Sequence, residues 1–398
     1  MSSDFAKTRA QFHLPEGMIY LDGNSLGPLP RGAAARVART VEQEWGNMLI
    51  SGWNKAGWMD KPMRVGDRIA RLIGAEAGHV VMGDTLSIKV YQALASCLEM
   101  NPTRRVILSD TGNFPSDLYM AEGLCRTLGP GYTLKTVAPE AVLEAIDDTV
   151  ACTMITEVDY RTGRKHDMAA ITARAHECGA LAIWDLAHSA GAFQVELAAC
   201  NVDFAVGCTY KYLNSGPGGP AFIYVAPRHA DVARPALAGW QGHAAPFDFD
   251  LSYRPATGAE RMRVGTPPIL QLAALEASLD IWDSVDMADL RAASLALTDR
   301  YIAGIEANCP DLALATPREH TQRGSQVSFR HPQGYEIMQA MIARGVIGDF
   351  RAPDIIRCGF TPLFINAADV DAAVAIISDI MQNSLWDRPE YKTRAKVT

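Results

Sequence analysis

The sequence predicts an α/β protein in which a mostly parallel sheet lies between helices, joined to a smaller α+β unit. Three observations carry this expectation. Short apolar runs alternate with helical stretches from about residue 79 to residue 226, the rhythm changes near residue 275, and no Gly/Ser linker separates the two parts. With 48% hydrophobic and 21% charged residues among 398, the chain has ordinary globular composition and material for a sizeable core.

Taken in order, "RRVILSD", "ACTMITEV", "ALAIWDL", "DFAVGCT" and "PAFIYVA" read as buried strands, being short, apolar and rich in Val and Ile. Between several of them lie the helical stretches "SIKVYQALASCLEM", "DLYMAEGLCRTL", "PEAVLEAI" and "DMAAITARAHECG". Strand, helix, strand repetition predicts parallel pairing with helices on both faces. "PAFIYVA" follows "DFAVGCT" after a short turn, which permits a local antiparallel pair. Further on, "LQLAALEASLDIWDSV" leads into a helix over 286–307, then "SQVSFR", the helix "YEIMQAMIARG", "VIGDFR", "IIRCGFT" and a last helix from about 367 to 385, N-capped by Asn366. The missing linker predicts a long helix shared by the two units and a substantial interface.

Composition excludes several classes. Lys+Arg 37 against Asp+Glu 45 gives a net charge of −8 with no basic run, which argues against a nucleic-acid or anionic-membrane surface. No run of about 18 apolar residues occurs, and "MSSDFAKTRA" lacks the apolar centre of a signal peptide. The eight cysteines are scattered without a CxxC, mostly among apolar neighbours, and are expected as reduced, buried thiols rather than disulfides or metal ligands. The expectation is a cytoplasmic protein with no membrane partner and no metal.

The chemistry centres on "CTYKYLNSGPGG", residues 208–219, where Lys211 stands between Tyr210 and Tyr212 ahead of a glycine-rich turn. A lysine held near buried strands acquires a lowered pKa and serves as nucleophile or base. Upstream, "ALAIWDLAHSAGA" puts Asp185 at the end of an apolar run, hence at the C-terminal edge of a parallel strand, where ligands of open α/β sheets bind. His188 follows in a turn of small residues. A Schiff-base lysine and a carboxylate that keeps a pyridine nitrogen protonated are what pyridoxal 5'-phosphate chemistry requires. "GDTLSIKVYQ" adds Thr85 and Ser87 at a helix start suited to a phosphate, and "GNFPSDLY" adds Phe114 as a planar partner for a ring. Each has a plainer reading: Asp185 as a helix cap, Lys211 as a surface turn residue, Thr85 as an ordinary N-cap, Phe114 as core. Their order and placement favour the cofactor reading.

Nine segments, "LDGNSLGPLP", "GDTLSIKVYQ", "NFPSD", "EVDYRTG", "WDLAHSAGA", "CTYKYLNSGPGG", "GWQGH", "RVGTPPIL" and "IIRCGFTPLF", resemble those of kynureninases, within the aspartate-aminotransferase-like, fold type I pyridoxal-phosphate enzymes. They span nearly the whole chain in order. The lysine and Asp-x-x-His segments are general in that superfamily, whereas "DGNSLG", "GWQGH" and "IRCGFTPLF" together are specific to kynureninase-like sequences. The resemblance implies a seven-stranded-type sheet in a large cofactor-binding domain (51–275), a small C-terminal α+β domain (276–398) and an N-terminal segment (1–50) packed with the small domain and the site. It also implies hydrolytic Cβ–Cγ cleavage of L-kynurenine, or of 3-hydroxy-L-kynurenine, to anthranilate or 3-hydroxyanthranilate and L-alanine, in tryptophan catabolism and NAD biosynthesis.

The implied roles fall on matching positions. Lys211 carries the cofactor, Asp185 pairs with its ring nitrogen beside His188, Phe114 stacks with Asp117 close by, and Thr85, Leu86 and Thr156 contact it. Tyr210 binds phosphate and helps proton transfer, while Trp240 and Thr266 reach the phosphate of the neighbouring chain in a homodimer with shared sites; some family members carry Asn at the Thr266 position. Arg357 grips the substrate carboxylate, and Asn24, Ser25 and Trp53 line the pocket around its aromatic end. Here too plainer readings stand: a loop for "DGNSLGPLP", core for Trp240, the exposed face of a strand for Arg357. Competing functions are a cysteine desulfurase or a small-amino-acid aminotransferase of the same fold, and a non-catalytic ligand-binding relative. The stretch 317–330 holds no cysteine, against the desulfurase, and intact Lys211, Asp185 and Arg357 argue against the last.

Overall fold

The computed structural model describes residues 3–394, so the outermost ends of the N- and C-terminal segments lie outside the described residues. The main sheet has seven strands: β1 (Val80–Met82), β2 (Val106–Asp110), β3 (Thr133–Val137), β4 (Val150–Thr156), β5 (Leu181–Asp185), β6 (Phe204–Gly207) and β7 (Phe222–Val225). They lie in the order β1-β7-β6-β5-β4-β2-β3. From β3 to β6 every pairing is parallel, and β7 runs antiparallel to both β6 and β1. The connection over 208–221, longer than the expected short turn, joins an antiparallel pair as expected.

Strand alternation splits the core into two layers. On β5, Ile183 packs with Val90, Leu94 and Leu124 from helices Leu86–Met100 and Pro115–Leu128, while Ala182 and Trp184 face a layer containing Ile171, Leu275 and Ile69. Both faces being covered, the central strands carry no polar side that would reveal their orientation. Trp184 is fully buried and donates its indole N–H to Thr172 Oγ1 at 3.0 Å. The edge strand β3, "TLKTV", is not among the strands expected from apolar runs; with one face in solvent it carries Lys and Thr instead.

The later part of the chain forms a second, antiparallel sheet of β8 (Ala313–Leu314), β9 (Gln326–Arg330), β10 (Asp349–Arg351) and β11 (Ile355–Gly359), in the order β8-β9-β11-β10. Helices Met287–Asn308 and Ala367–Gln382 pack against it through residues such as Tyr301, Ile305, Val370 and Ile377. The last helix opens on a reciprocal capping box between Asn366 and Asp369. Helix Ile269–Trp282 crosses the change expected near residue 275. It then ends, and Asp286 starts the next by accepting the N–H groups of Ala288 and Asp289 at 2.9 and 3.0 Å. "PEAVLEAI" forms only short turns at 139–145, and "VIGDFR" divides at Gly348. Its first half, Val346–Ile347, pairs in parallel with Ile19–Tyr20, which ties the N-terminal segment to the second sheet.

All eight cysteines are unpaired, six of them buried. Among the described residues no helix is long and apolar enough to cross a membrane. Helix Lys61–Ala70 meets β1 at Gly66, where an added Cβ would come within 2.7 Å of the Val80 carbonyl carbon and 3.3 Å of Val81 Cα. Alanine there gains about 1 kcal/mol of helix propensity, but overpacking against backbone costs about 1–3 kcal/mol. Gly66→Ala is therefore expected to lower the urea midpoint; an unchanged or raised midpoint would show that the helix and β1 are free to separate.

Candidate active site

Parallel strands bring their C-terminal ends to one edge, and the chain places Thr156, Asp185 and the turn after β6 there. That turn is closed locally: Ser215 N–H donates to the Thr209 carbonyl at 3.1 Å, Asn214 N–H to the Lys211 carbonyl at 2.9 Å, and Thr209 Oγ1 to the Pro220 carbonyl at 2.6 Å. Asn214 takes the left-handed backbone this requires, with φ 53°. Lys211 emerges half-buried, less enclosed than its apolar lead-in suggests, with Nζ 3.1 Å from His188 Nε2. The ring centroids of Phe114 and Tyr210 lie 6.0 and 5.9 Å from the same nitrogen.

His188 is buried, and burial, then the charges of Lys211, Arg357 and Arg351, push its pKa well below the usual imidazole value. It is therefore neutral at pH 7, and its Nε2 accepts a hydrogen bond from Lys211. Asp185, 1% exposed, accepts the Ala187 N–H at 2.8 Å and faces Thr156 Oγ1 at 3.4 Å. Thr156 in turn donates to Asn113 Oδ1, and the Asn113 side chain is held by Ser109 Oγ and the Met154 carbonyl at 3.0 and 3.2 Å. Asp117 is fully buried beside Asp185, and neither of its carboxylate oxygens has a hydrogen bond of normal geometry. Burial, then the charge of Asp185, push Asp117 well above the usual carboxylate range; burial also raises Asp185, against the pull of Lys211. Two dry carboxylates short of donors, facing one amine, fit a ligand that brings its own N–H, as a protonated pyridine ring does.

The helix start at Thr85 supplies the other end of such a ligand. Thr85 is the N-cap of Leu86–Met100 but its side chain makes no cap hydrogen bond, so the first N–H groups stay open. Gly83, Asp84 and Thr85 line a cavity of about 290 Å³ together with Gly218, Arg263 and Thr266. A phosphate fits this donor set. Phe114, 42% exposed rather than core, stands edge-on to Tyr160 with centroids 5.1 Å apart.

Arg357 is 1% exposed, not the outer face of a strand. It sits directly opposite Asp349 across the β10–β11 pairing, and its Nε donates to Asp349 Oδ1 at 2.7 Å while Nη2 donates to Oδ2. Nη2 also donates to Ser25 Oγ at 2.7 Å, and Nη1 to the Tyr160 carbonyl. The Nε–Nη2 edge is thus already occupied, and the Nη1–Nη2 edge is the one turned toward Tyr160 and Ser25. Burial alone would raise Asp349, but Arg357 and Arg351 hold it below the usual carboxylate range. Asn24 is buried with both amide atoms unpartnered, against Gly359. The Gly27 N–H donates to the Tyr210 carbonyl at 2.7 Å, so the N-terminal loop bridges the two parts of the site.

Two expected residues stand apart within one chain. Among the described residues, Trp53 makes its ring contact with Trp58 and Trp240 with Phe247, both at 5.9 Å, and neither makes a hydrogen bond or ring contact with Lys211, His188 or Arg357. Conversely, the structure adds Asp349, Tyr160 and Asn113, which sequence reasoning misses. Asn113 and Tyr160 lie inside the segments "NFPSD" and "EVDYRTG", whereas Asp349 is revealed only by strand register.

Asp22, on the same loop as Ser25, is pushed up to about 7 by burial and then by the charge of Asp349. The folded protein then keeps a proton that the unfolded chain has lost, so stability falls as pH rises from the ordinary 3.8 to about 7, and the loss is complete above that. Asp22→Asn is expected to gain steadily on the native protein in urea melts as pH rises from 3.8 to about 7 and to keep that lead above it; parallel profiles would show that Asp22 is ionised throughout.

Known proteins resemble the chain along the same lines. A family profile described as the kynureninase C-terminal domain matches residues 290–377. The chain is 51% identical over 400 residues to a kynureninase of Pseudomonas fluorescens, covering 99% of this chain and 96% of the relative. A kynureninase of Burkholderia pseudomallei (strain 1106a) matches with the same identity and coverage. Among solved structures, an apo cysteine desulfurase from Thermococcus onnurineus NA1 superposes with a TM-score of 0.81 at 18% identity, covering 96% of this chain and 99% of that one. A C-DES mutant with glycine covalently linked to its PLP cofactor gives 0.79 at 18% identity, covering 93% and 99%. At that identity the likeness concerns the fold alone.

Proposed function

The chain belongs to the kynureninase family, and from that premise we propose that Lys211, Tyr210, Asp185 and Arg357 form the working centre of its hydrolytic site. The activity is that of a pyridoxal-phosphate-dependent hydrolase of C–C bonds, which cleaves L-kynurenine between Cβ and Cγ to anthranilate and L-alanine. The observation that carries the assignment of residues is the single amine of Lys211, hydrogen-bonded to a neutral His188 and set against the buried Asp117–Asp185 pair. When bound, the cofactor supplies an electron sink for the charge that develops on the substrate carbons. Lys211 would hold it and, when free, would accept the α-proton at Nζ. His188 Nε2, accepting from Lys211, orients that amine without adding a competing charge. Asp185 would present its carboxylate to the ring N–H, with Asp117 beside it; burying two carboxylates side by side favours sharing a proton over double ionisation. Thr85 and Leu86 offer the open helix terminus to the phosphate, and Thr156 and Phe114 bound the ring's position.

Tyr210, whose pKa is raised by neighbouring Cys208 and by burial, keeps its proton at neutral pH and is the donor to Cβ. Arg357 receives the substrate carboxylate through Nη1, whose second N–H is left over once Asp349, Ser25 and the Tyr160 carbonyl have taken the other donors. Asn24 and Ser25 line the pocket beside it, and Trp53 borders the aromatic end. Division into an N-terminal segment (1–50), a large domain (51–275) and a small domain (276–398), and a cytoplasmic location, complete the reading. The working form is a homodimer with shared sites. Thr266 shares a cavity with Thr85 of its own chain, so the support for a contact across the dimer rests on Trp240, exposed on its loop beside Phe247 and Phe249.

Borohydride is expected to fix the cofactor on Lys211, and Lys211→Ala to abolish release of anthranilate from L-kynurenine; a label mapping to another lysine overturns the assignment. Mixing Lys211→Ala with Trp240→Ala chains is expected to restore roughly a quarter of the sites by random pairing, each in a hybrid dimer with one intact set of residues. Proven hybrids without recovered activity, or a fully active monomer in sedimentation, would dispose of the shared site.

A further inference from the structure

Lys89 breaks two local rules at once. It is the fourth residue of helix Leu86–Met100, where the helix dipole disfavours a cation, and it is fully buried, where an ammonium is costly. Burial lowers its pKa, opposed by Asp84. All three of its donors are nevertheless used: Nζ donates to Asp84 Oδ2 at 3.1 Å, Gln92 Oε1 at 3.0 Å and the Met262 carbonyl at 2.9 Å. Gln92 Nε2 donates to that same carbonyl at 3.1 Å. Asp84, with φ 58°, and Gly83, with φ 147°, form a turn that ordinary residues rarely adopt. Met262 leads directly into Arg263, whose guanidinium is held by Gln241 and by Glu260 at 2.8 Å. The lysine thus joins the two rims of the 290 Å³ cavity, Gly83–Thr85 on one side and Arg263–Thr266 on the other. Residues that violate local preference in this way mark functional sites.

We propose that Lys89 is a positioning residue for the cofactor's phosphate: from behind the cavity it clamps the Gly83–Thr85 turn to the 262–266 loop, so that the open helix terminus faces a preformed anion site. Its protons are taken by protein acceptors, so it acts through geometry rather than by touching the phosphate. The inference rests on the reading of Thr85 and Leu86 as the phosphate cradle, and the test separates the two. Apoenzyme is titrated with pyridoxal 5'-phosphate and with pyridoxal, which lacks the phosphate, and binding is followed by absorbance. Native protein is expected to prefer the phosphorylated form strongly; equal affinities would overturn the cradle and, with it, the role of Lys89. Lys89→Met is expected to lose about tenfold in affinity for the phosphorylated form, because Nζ no longer ties the Gly83–Thr85 turn to the 262–266 loop, with pyridoxal binding unchanged. Activity at saturating cofactor is expected to return. A folded variant that keeps its preference, or that loses both ligands equally, overturns the proposal. Asp84→Ala, cutting the clamp from its partly exposed end, is the independent measurement should Lys89→Met not fold: selective loss for the phosphorylated ligand supports the clamp, and native preference overturns it.

Discussion

Two carboxylates, Asp117 and Asp185, share one dry space at the C-terminal edge of the main sheet. Burying like charges side by side is unfavourable, and much of the surrounding structure is arranged to sustain it. Parallel strands aim Thr156 and Asp185 at the same edge, the Pro115–Leu128 helix delivers Asp117 in its first turn, where its dipole favours an anion, and the Tyr210–Lys211 turn sets a cation opposite. A neutral His188 completes the balance. Without the amine, the pair keeps the backbone N–H of Ala187, the Thr156 hydroxyl at 3.4 Å and the Ser116 side chain beside Asp117.

A second charge cluster mirrors the first with opposite logic. At Arg357 the carboxylate of Asp349 is satisfied in full, by two guanidinium nitrogens, Ser25 and Arg351. Satisfying Asp349 orients Arg357, and with Ser25 and the Tyr160 carbonyl also bound, one N–H of Nη1 is left for a ligand. Tyr160 joins the two clusters: its carbonyl takes Arg357 Nη1 and its ring meets Phe114, which lies over Lys211. The Lys211 and Arg357 clusters are thus linked through one residue between β4 and the second sheet.

How much of this is legible in the sequence depends on whether a residue announces itself alone or only through a neighbour. Apolar runs bounded by Gly, Pro and Asp give away the central strands, and Asp185 and Lys211 stand at their ends. The edge strand β3 is hidden because a half-exposed strand needs no apolar run. Asp349 and Arg357 are eight residues apart in sequence, with Arg351 between them, and nothing local says that the first two face each other; antiparallel register does. Trp53 and Trp240 are implied by family resemblance, and their position away from Lys211 within one chain is a matter of tertiary and quaternary placement that periodicity does not encode.

The order in which the parts of the site leave the ribosome follows from one feature of the architecture. Ser25 meets Asp349 and Arg357 across 324 and 332 residues of chain, whereas Thr85, Asp117, Asp185 and Lys211 all belong to the single sheet that ends at Val225. A nascent chain, emerging N-terminus first, exposes every residue assigned to the cofactor ring well before Arg357 is made. Until then the loop bearing Asn24 and Ser25 has no second sheet to lie against, and Ile19–Tyr20 lacks its strand partner Val346–Ile347. The Arg357 cluster is therefore the last part of the site to be completed during synthesis, and any chain truncated before residue 357 is born without it.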